Sequence, residues 1–271
     1  MINRQVESNS RIQFDKLQEV TAILEPERRK IFASWLQILN EEGIPYVLGG
    51  AFAVYAYTGV WRDTKDLDVF LRPGDLRKAL DALKAGGFET EIRSVFWLAK
   101  VHYKPYFMDL IFGTSSTQFL IDDSWFEFSQ PIEILGVRSR LIALEELIAS
   151  KVYMAKSDRF DGANIVHLIR CVKGRIDWQR ILTHLKDNQE ILLWYLLFFD
   201  FVYPSHSDYL PQELMVKLFE KIRENWSRPK RPGAFRGMLL DPLAFAVDCK
   251  AWNYENGCHL VPLVDKRGEL V

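Results

Sequence analysis

Cysteine is scarce in this chain, and the few present do not pair. Cys171, Cys249 and Cys258 are odd in number, scattered and without a CxxC spacing. Neither a disulfide framework nor a cysteine zinc site is expected, and the usage suits a reducing, cytoplasmic setting. An excess of one charge is also lacking: 35 Lys and Arg stand against 36 Asp and Glu, for a net charge of −1. Net charge therefore offers no attraction to nucleic acid or acidic membranes, although a local basic face is invisible to such a sum. Long apolar runs are missing too. The most apolar stretch, ILLWYLLFFDFVY at 191–203, contains Asp200 and is thirteen residues long. A membrane span needs about 20 apolar residues, so a buried helix and no membrane partner are expected. The N-terminal MINRQVESNSRIQFDK is polar, with no apolar signal core. No internal repeat or low-complexity tract is visible. His102, His167, His184, His206 and His259 show no ligand spacing, so no histidine metal ligand is expected.

What is present is ordinary globular material, 48% hydrophobic and 26% charged in 271 residues, enough for two domains or one large one. Residues 11–42 carry helical spacing, with Pro26 separating two helices and Gly43 stopping the second. IPYVLGG reads as a short strand ending in glycines, and AFAVYAYTG as a helix reaching Gly59. KDLDVFLR reads as a strand and PGDLRKALDALKAGG as an amphipathic helix. FETEIRS, VFWLAKVHY and YFMDLIFG read as strands, the last two forming a hairpin around Lys104-Pro105, and PIEILGVRSR as another strand or hairpin. After Ser139 the period turns helical, through LIALEELIASKVYMAK, ANIVHLIRCVK, DWQRILTHLK, ILLWYLLFFDFVY and PQELMVKLFEKIREN. The expected class is α+β: N-terminal helices over 1–42, a small mixed-sheet core over 43–138, a mainly helical region over 139–225 and an irregular segment over 226–271. The N-terminal helices are expected to pack on one of the two halves.

The chemistry concentrates in GGAFAVYAYTGVWRDTKDLDVF, 49–70. Side chains alternate across a strand, so Asp66 and Asp68 share a face while Leu67 and Val69 point into the core. Two like charges side by side repel and lose hydration; a divalent cation would neutralise them, and an open, solvated stripe would also tolerate them. Gly49 and Gly50 stand between a strand and a helix, where phosphate can approach the backbone and the N–H groups of the helix end. YFMDLIFG adds Asp109 among Met108, Leu110 and Ile111, a setting that asks for a cation or a partner. Arg62 and Thr64 lie between the helix and the acidic strand; Arg62 reads as a nucleotide contact or an ion-pair partner of Asp63 or Asp66, Thr64 as a nucleotide contact or a strand cap. Three carboxylates on adjacent strands can hold two Mg²⁺ ions for in-line transfer at phosphorus.

The pattern GG-(x15)-D-L-D-V with the later MDLIFG resembles the nucleotidyltransferase fold of the DNA polymerase beta superfamily, over roughly residues 44–113. The resemblance implies that Asp66 and Asp68 bind both metal ions and that Asp109 completes the catalytic ion's site. It also implies that Gly49 and Gly50 contact the phosphates of an NTP. TG-x-x-R-x-T-K-D-L-D with LIALEELIASKVYMAKSDRFDGANIVHLI is similar to bacterial nucleotidyltransferase-like proteins that include abortive-infection and toxin–antitoxin toxins. That narrower resemblance implies Lys151 on the triphosphate, with Arg159 and Asp161 near the base, sugar or second ion, and admits an antitoxin partner. The RFDGAN context departs from the R-x-x-x-D spacing usual there. Read alone, Lys151 is a solvated lysine, Glu145-Glu146 an exposed helix face or helix-start charge, SRPKRPG at 227–233 a solvated basic loop and the aromatics of WYLLFFDFVY core.

The implied activity is Mg²⁺-dependent transfer of an NMP from an NTP to a hydroxyl, with release of pyrophosphate. An RNA 3′ end, such as that of tRNA, or another macromolecule such as a protein ranks slightly ahead of a small, aminoglycoside-like acceptor. A non-catalytic nucleotide-binding protein on the same fold is the alternative from another class. An unrelated α+β enzyme with a chance DxD would keep Asp109 far from Asp66 and Asp68.

Overall fold

The structure, a computed structural model, describes residues 12, 14–114, 120–229, 235–255 and 267–269. The N-terminal polar stretch 1–11, the end of the basic run at 230–233, Cys258 and His259 lie outside the described residues. The chain divides into two compact units, Met1–Ala143 with Leu260–Val271, and Leu144–His259. Among the described residues no helix is long and apolar enough to cross a membrane.

The first unit is built on one mixed sheet of seven strands: β1 (Val47–Leu48), β2 (Asp66–Phe70), β3 (Glu89–Ser94), β4 (Leu98–Tyr103), β5 (Tyr106–Ile111), β6 (Gln130–Ile134) and β7 (Val137–Leu141). Their order is β3-β4-β5-β2-β1-β7-β6. β2 pairs parallel with β5 and antiparallel with β1, and β1 pairs parallel with β7. β4 and β5 form the hairpin read around Lys104-Pro105, with Tyr103 opposite Tyr106. PIEILGVRSR is a hairpin, β6 to β7, turning at Leu135 and Gly136 with φ of 55° and 73°, the positive values that a tight two-residue turn requires. This is the expected α+β architecture, a mixed sheet with flanking helices.

The N-terminal helices belong to this unit. Pro26 opens the helix Pro26–Glu41, which buries Ile31, Phe32, Trp35, Leu36 and Leu39 and packs on the helix Leu76–Ala85 and on β7. The preceding helix Phe14–Ile23 packs on the helix Gly50–Thr58 and on β6. Leu67, Val69, Ala99, Val101, Met108 and Leu110 are buried on one face of the sheet. The alternation of strands β2, β4 and β5 therefore leaves Asp66, Asp68, Lys100 and Asp109 on the other.

The second unit is helical: Leu144–Val152, Gly162–Cys171, Trp178–Leu185, Glu190–Val202, Gln212–Ser227 and Pro242–Ala251. Two features differ from the sequence reading. In Glu190–Val202 the aromatic run is not all core: Leu192, Leu193, Tyr195, Leu196 and Phe199 are buried, whereas Trp194 and Leu197 are exposed and Phe201 is 84% exposed. An almost wholly apolar helix gives no periodic contrast from which to tell its faces. The C-terminal segment, read as irregular, carries the helix Pro242–Ala251, whose N-cap Asp241 accepts from the N–H groups of Leu243 and Ala244.

Candidate active site

Gly49 and Gly50 form the turn between β1 and the helix Gly50–Thr58, and they lie directly on the acidic strand. The Gly49 N–H donates to the Asp68 carbonyl at 3.0 Å. Gly50 has φ +53°, and a Cβ there would stand 1.6 Å from Asp68 Oδ2; a Cβ on Gly49 would stand 2.2 Å from the Phe70 ring. Any side chain at 50 thus collides with the carboxylate, so glycine is required for both conformation and space. The first N–H groups of the helix that follows have no intrahelical acceptor.

Asp68 and Asp109 are directly opposite in the parallel β2–β5 pair, and Asp66 lies two residues back on the same face. One carboxylate oxygen from each of Asp66, Asp68 and Asp109 lies within 4.8 Å of the others. The strand reading of the DxD and the later acid therefore meet at one point, and the arrangement in which Asp109 lies elsewhere is excluded. Three converging carboxylates are hard oxygen donors of the kind that suits Mg²⁺ or Mn²⁺, and the collision-free cradle over Gly50 keeps the backbone against them.

Two contacts fix the approach to this strand. Arg28, buried on the helix Pro26–Glu41, donates to Asp63 Oδ1 at 2.5 Å and to the Thr64 carbonyl at 2.9 Å, and its guanidinium lies over the Tyr106 ring. The Arg28 hydrogen bond lowers the Asp63 carboxyl below its ordinary range and raises the guanidinium in return. The Thr64 hydroxyl donates to Asp66 Oδ1, so Thr64 orients a carboxylate of the site. Asp63 has Arg28 as its ion-pair partner; Arg62 lies in the same segment, next to Trp61, which packs edge-on against Phe52 and Tyr55 of the helix Gly50–Thr58.

Sequence reasoning missed Lys100. It stands opposite Asp109 in the β4–β5 pair, with Nζ 2.5 Å from Asp109 Oδ1 and 3.9 Å from the centre of the Phe107 ring. The signal was available: counting back from the hairpin at Lys104-Pro105 brings Lys100 opposite Asp109.

In the second unit, Lys151, Arg159 and Asp161 come together with one another. Lys151 Nζ donates to Asp161 Oδ2 at 2.7 Å, and Arg159 donates to both oxygens at 3.1 and 3.3 Å. Lys151 and Asp161 are only 5% and 6% exposed. Lys151 is therefore not the solvated lysine of an amphipathic helix, and the contact it makes is with Asp161. Burial alone would push the Asp161 carboxyl up; the Lys151 charge and the bonds from Arg159 and Lys151 outweigh burial and hold it low. Glu145 and Glu146 also depart from expectation. They stand in the first turn of the helix Leu144–Val152, as the helix-start reading has it, but not on an exposed face: both are 0% exposed. Glu145 accepts from Arg180 and from the Asp177 N–H, while Glu146 meets Arg180 Nε at 3.1 Å and His184 Nε2 at 3.0 Å. Partners more than 30 residues away turned a surface-like pair into a buried network.

Comparison with known proteins gives the following. A family model described as "Nucleotidyl transferase of unknown function (DUF2204)" matches residues 28–191. No curated protein matches the chain. Among solved structures, an antigenic nucleotidyltransferase-like protein from Paracoccidioides brasiliensis is 17% identical, with 68% of this chain and 93% of that one covered and a TM-score of 0.44. A lincomycin-bound lincosamide antibiotic adenylyltransferase is 15% identical, with 54% and 96% covered and a TM-score of 0.39.

Proposed function

This chain belongs to the nucleotidyl transferase family of unknown function (DUF2204), and on that premise we propose that it transfers an NMP from an NTP to a hydroxyl acceptor. The acceptor oxygen forms a bond to the α-phosphorus, the bond from that phosphorus to the bridging oxygen breaks, and pyrophosphate leaves. The observation that carries this reading is the convergence of Asp66, Asp68 and Asp109 within 4.8 Å beside the Gly49-Gly50 turn.

In this reading Asp66 and Asp68 would hold a pair of divalent cations and Asp109 would complete the set of ligands. Held there, the ions would supply positive charge that neutralises the carboxylates and draws charge from the phosphate. The rest is the work of the chain itself. Gly49 and Gly50 bring the turn and the helix end to the triphosphate, which the N–H groups of a helix N-terminus favour. Thr64 orients Asp66 through its hydroxyl, and Arg28 fixes the segment that leads into it. Asp109 receives the proton of the acceptor hydroxyl. Arg62 contacts the nucleotide.

The acceptor we propose is the hydroxyl of a macromolecule, with an RNA 3′ end first. Purified protein with Mg²⁺ and each α-labelled NTP in turn is incubated with total RNA and with cell extract, beside Asp68→Asn. Label in an RNA or protein band, absent with the variant, supports the proposal. Label confined to small molecules replaces the acceptor class, and Mg-NTP binding with no label in any fraction overturns transfer in favour of a nucleotide-binding protein.

A further inference from the structure

We infer that Lys100 is a positioning residue that stands in for a cation at Asp109 and makes divalent-ion binding at the acidic site depend on the nucleotide. This inference rests on the reading of Asp66, Asp68 and Asp109 as metal ligands. It starts from a row of side chains that runs straight across four strands: Asp68 on β2, Asp109 on β5, Lys100 on β4 and Glu91 on β3 are each opposite the next. Within this row Lys100 donates to Asp109, not to Glu91, which has Arg93 at 3.1 Å and His102 at 3.3 Å. The Lys100 stem is held as well, since Nζ lies over the Phe107 ring on the same face.

The consequences are electrostatic. Three carboxylates within 4.8 Å repel one another when no ion is present. The Lys100 ammonium, 2.5 Å from Asp109, offsets part of that repulsion and keeps the carboxylate aimed. The same ammonium repels any divalent ion that Asp109 would ligate. Even screened by water, a unit charge a few ångströms from a divalent ion shifts its affinity by about tenfold. A triphosphate brings several negative charges, which offset the ammonium and supply further ligands. Ion and nucleotide therefore favour each other's binding, and by linkage each raises the other's affinity by the same factor. The site stays poorly occupied by the ion alone and fills when the nucleotide arrives.

The test is Mn²⁺ titration followed by the loss of the free-ion electron paramagnetic resonance signal, on the full chain, without and with a non-hydrolysable ATP analogue. Thermal unfolding in EDTA runs alongside. Lys100→Met is expected to bind Mn²⁺ about tenfold more tightly than the native protein in the absence of nucleotide. It is also expected to gain less from the analogue, and to unfold at a lower temperature in EDTA. Lys100→Arg, which keeps the charge, is expected to behave like the native protein and guards against a fault of folding in the first variant. In an Asp109→Asn background the effect of Lys100→Met on Mn²⁺ affinity should disappear. Unchanged or weaker Mn²⁺ binding by Lys100→Met, with Mn²⁺ binding intact in the native protein, overturns the role of Lys100 alone. Native protein that binds no Mn²⁺ with or without the analogue overturns the reading of the acidic site and this inference with it.

Discussion

Asp68 carries the most at the scale of single residues, because it meets the glycine turn, its opposite number Asp109 and its strand neighbour Asp66 at once. Asp68→Asn removes one of three crowded negative charges. The expected outcome is loss of nucleotide transfer with stability unchanged or raised by up to about 1 kcal/mol, as charge relief at a functional site commonly gives; label transfer and urea unfolding check the two halves. Lys151 is the opposite case. Its loss leaves Asp161 buried with only the half-exposed Arg159 ion pair beside it, so Lys151→Ala should cost about 3 kcal/mol, the lower end for a broken buried pair. Urea denaturation measures it, and a stability change near zero would return Lys151 to the class of surface lysines. The residue scale is also where sequence reading was least equal across sites. Asp66 and Asp68 announced themselves, since a period of two puts both on one face. Lys151 and Glu145 did not, because a helix sequence specifies its own faces and not the residues that will meet them from Asp161 or Arg180.

At the scale of elements, the glycine turn and the acidic strand work as one device. β1 is only two residues long, and its end is fixed by the Gly49 N–H on the Asp68 carbonyl. Gly50→Ala must place a methyl group at φ +53° and 1.6 Å from Asp68 Oδ2. The left-handed conformation alone costs about 1–2 kcal/mol. The substitution should lower stability by at least that much and abolish transfer, as thermal melting and the label assay would record. A second device is the Asp241 cap of the helix Pro242–Ala251. The N–H groups of Ala244, Ser157 and Leu243 hold its carboxyl down at about 2. Its contribution is therefore complete above the ordinary aspartate value near 3.8 and is lost as pH falls through about 2. The stability difference between the native protein and Asp241→Asn should shrink as pH drops through that window, measured by chemical unfolding at a series of pH values. A difference independent of pH would show that the cap does not depend on the charge. Here too the signal was partly in the sequence: Asp241-Pro242 ahead of LAFAVDCKA is a cap followed by an N1 proline, obscured by the proline- and glycine-rich stretch before it.

At the scale of the whole molecule, the order of elements in the first unit was readable because strand, glycine turn, helix and acidic strand each have a local cause. The position of β7 beside β1 was not, and that of β5 beside β2 came only with the family resemblance, since parallel pairing joins segments that share no turn. The β2–β5 pairing is what brings Asp109 to Asp68, so residue patterns alone showed the parts of the site and the resemblance alone placed them together. The central claim is that these parts move a nucleotidyl group rather than a phosphoryl group. The most direct measurement supplies the protein and Mg²⁺ in cell extract with the same NTP labelled at the α-phosphate in one tube and at the γ-phosphate in the other. Nucleotidyl transfer at this site puts α-label on the acceptor and γ-label in pyrophosphate, both absent with Asp68→Asn. Transfer of the γ-label to an acceptor, or retention of both labels in intact NTP bound to the protein, would contradict it.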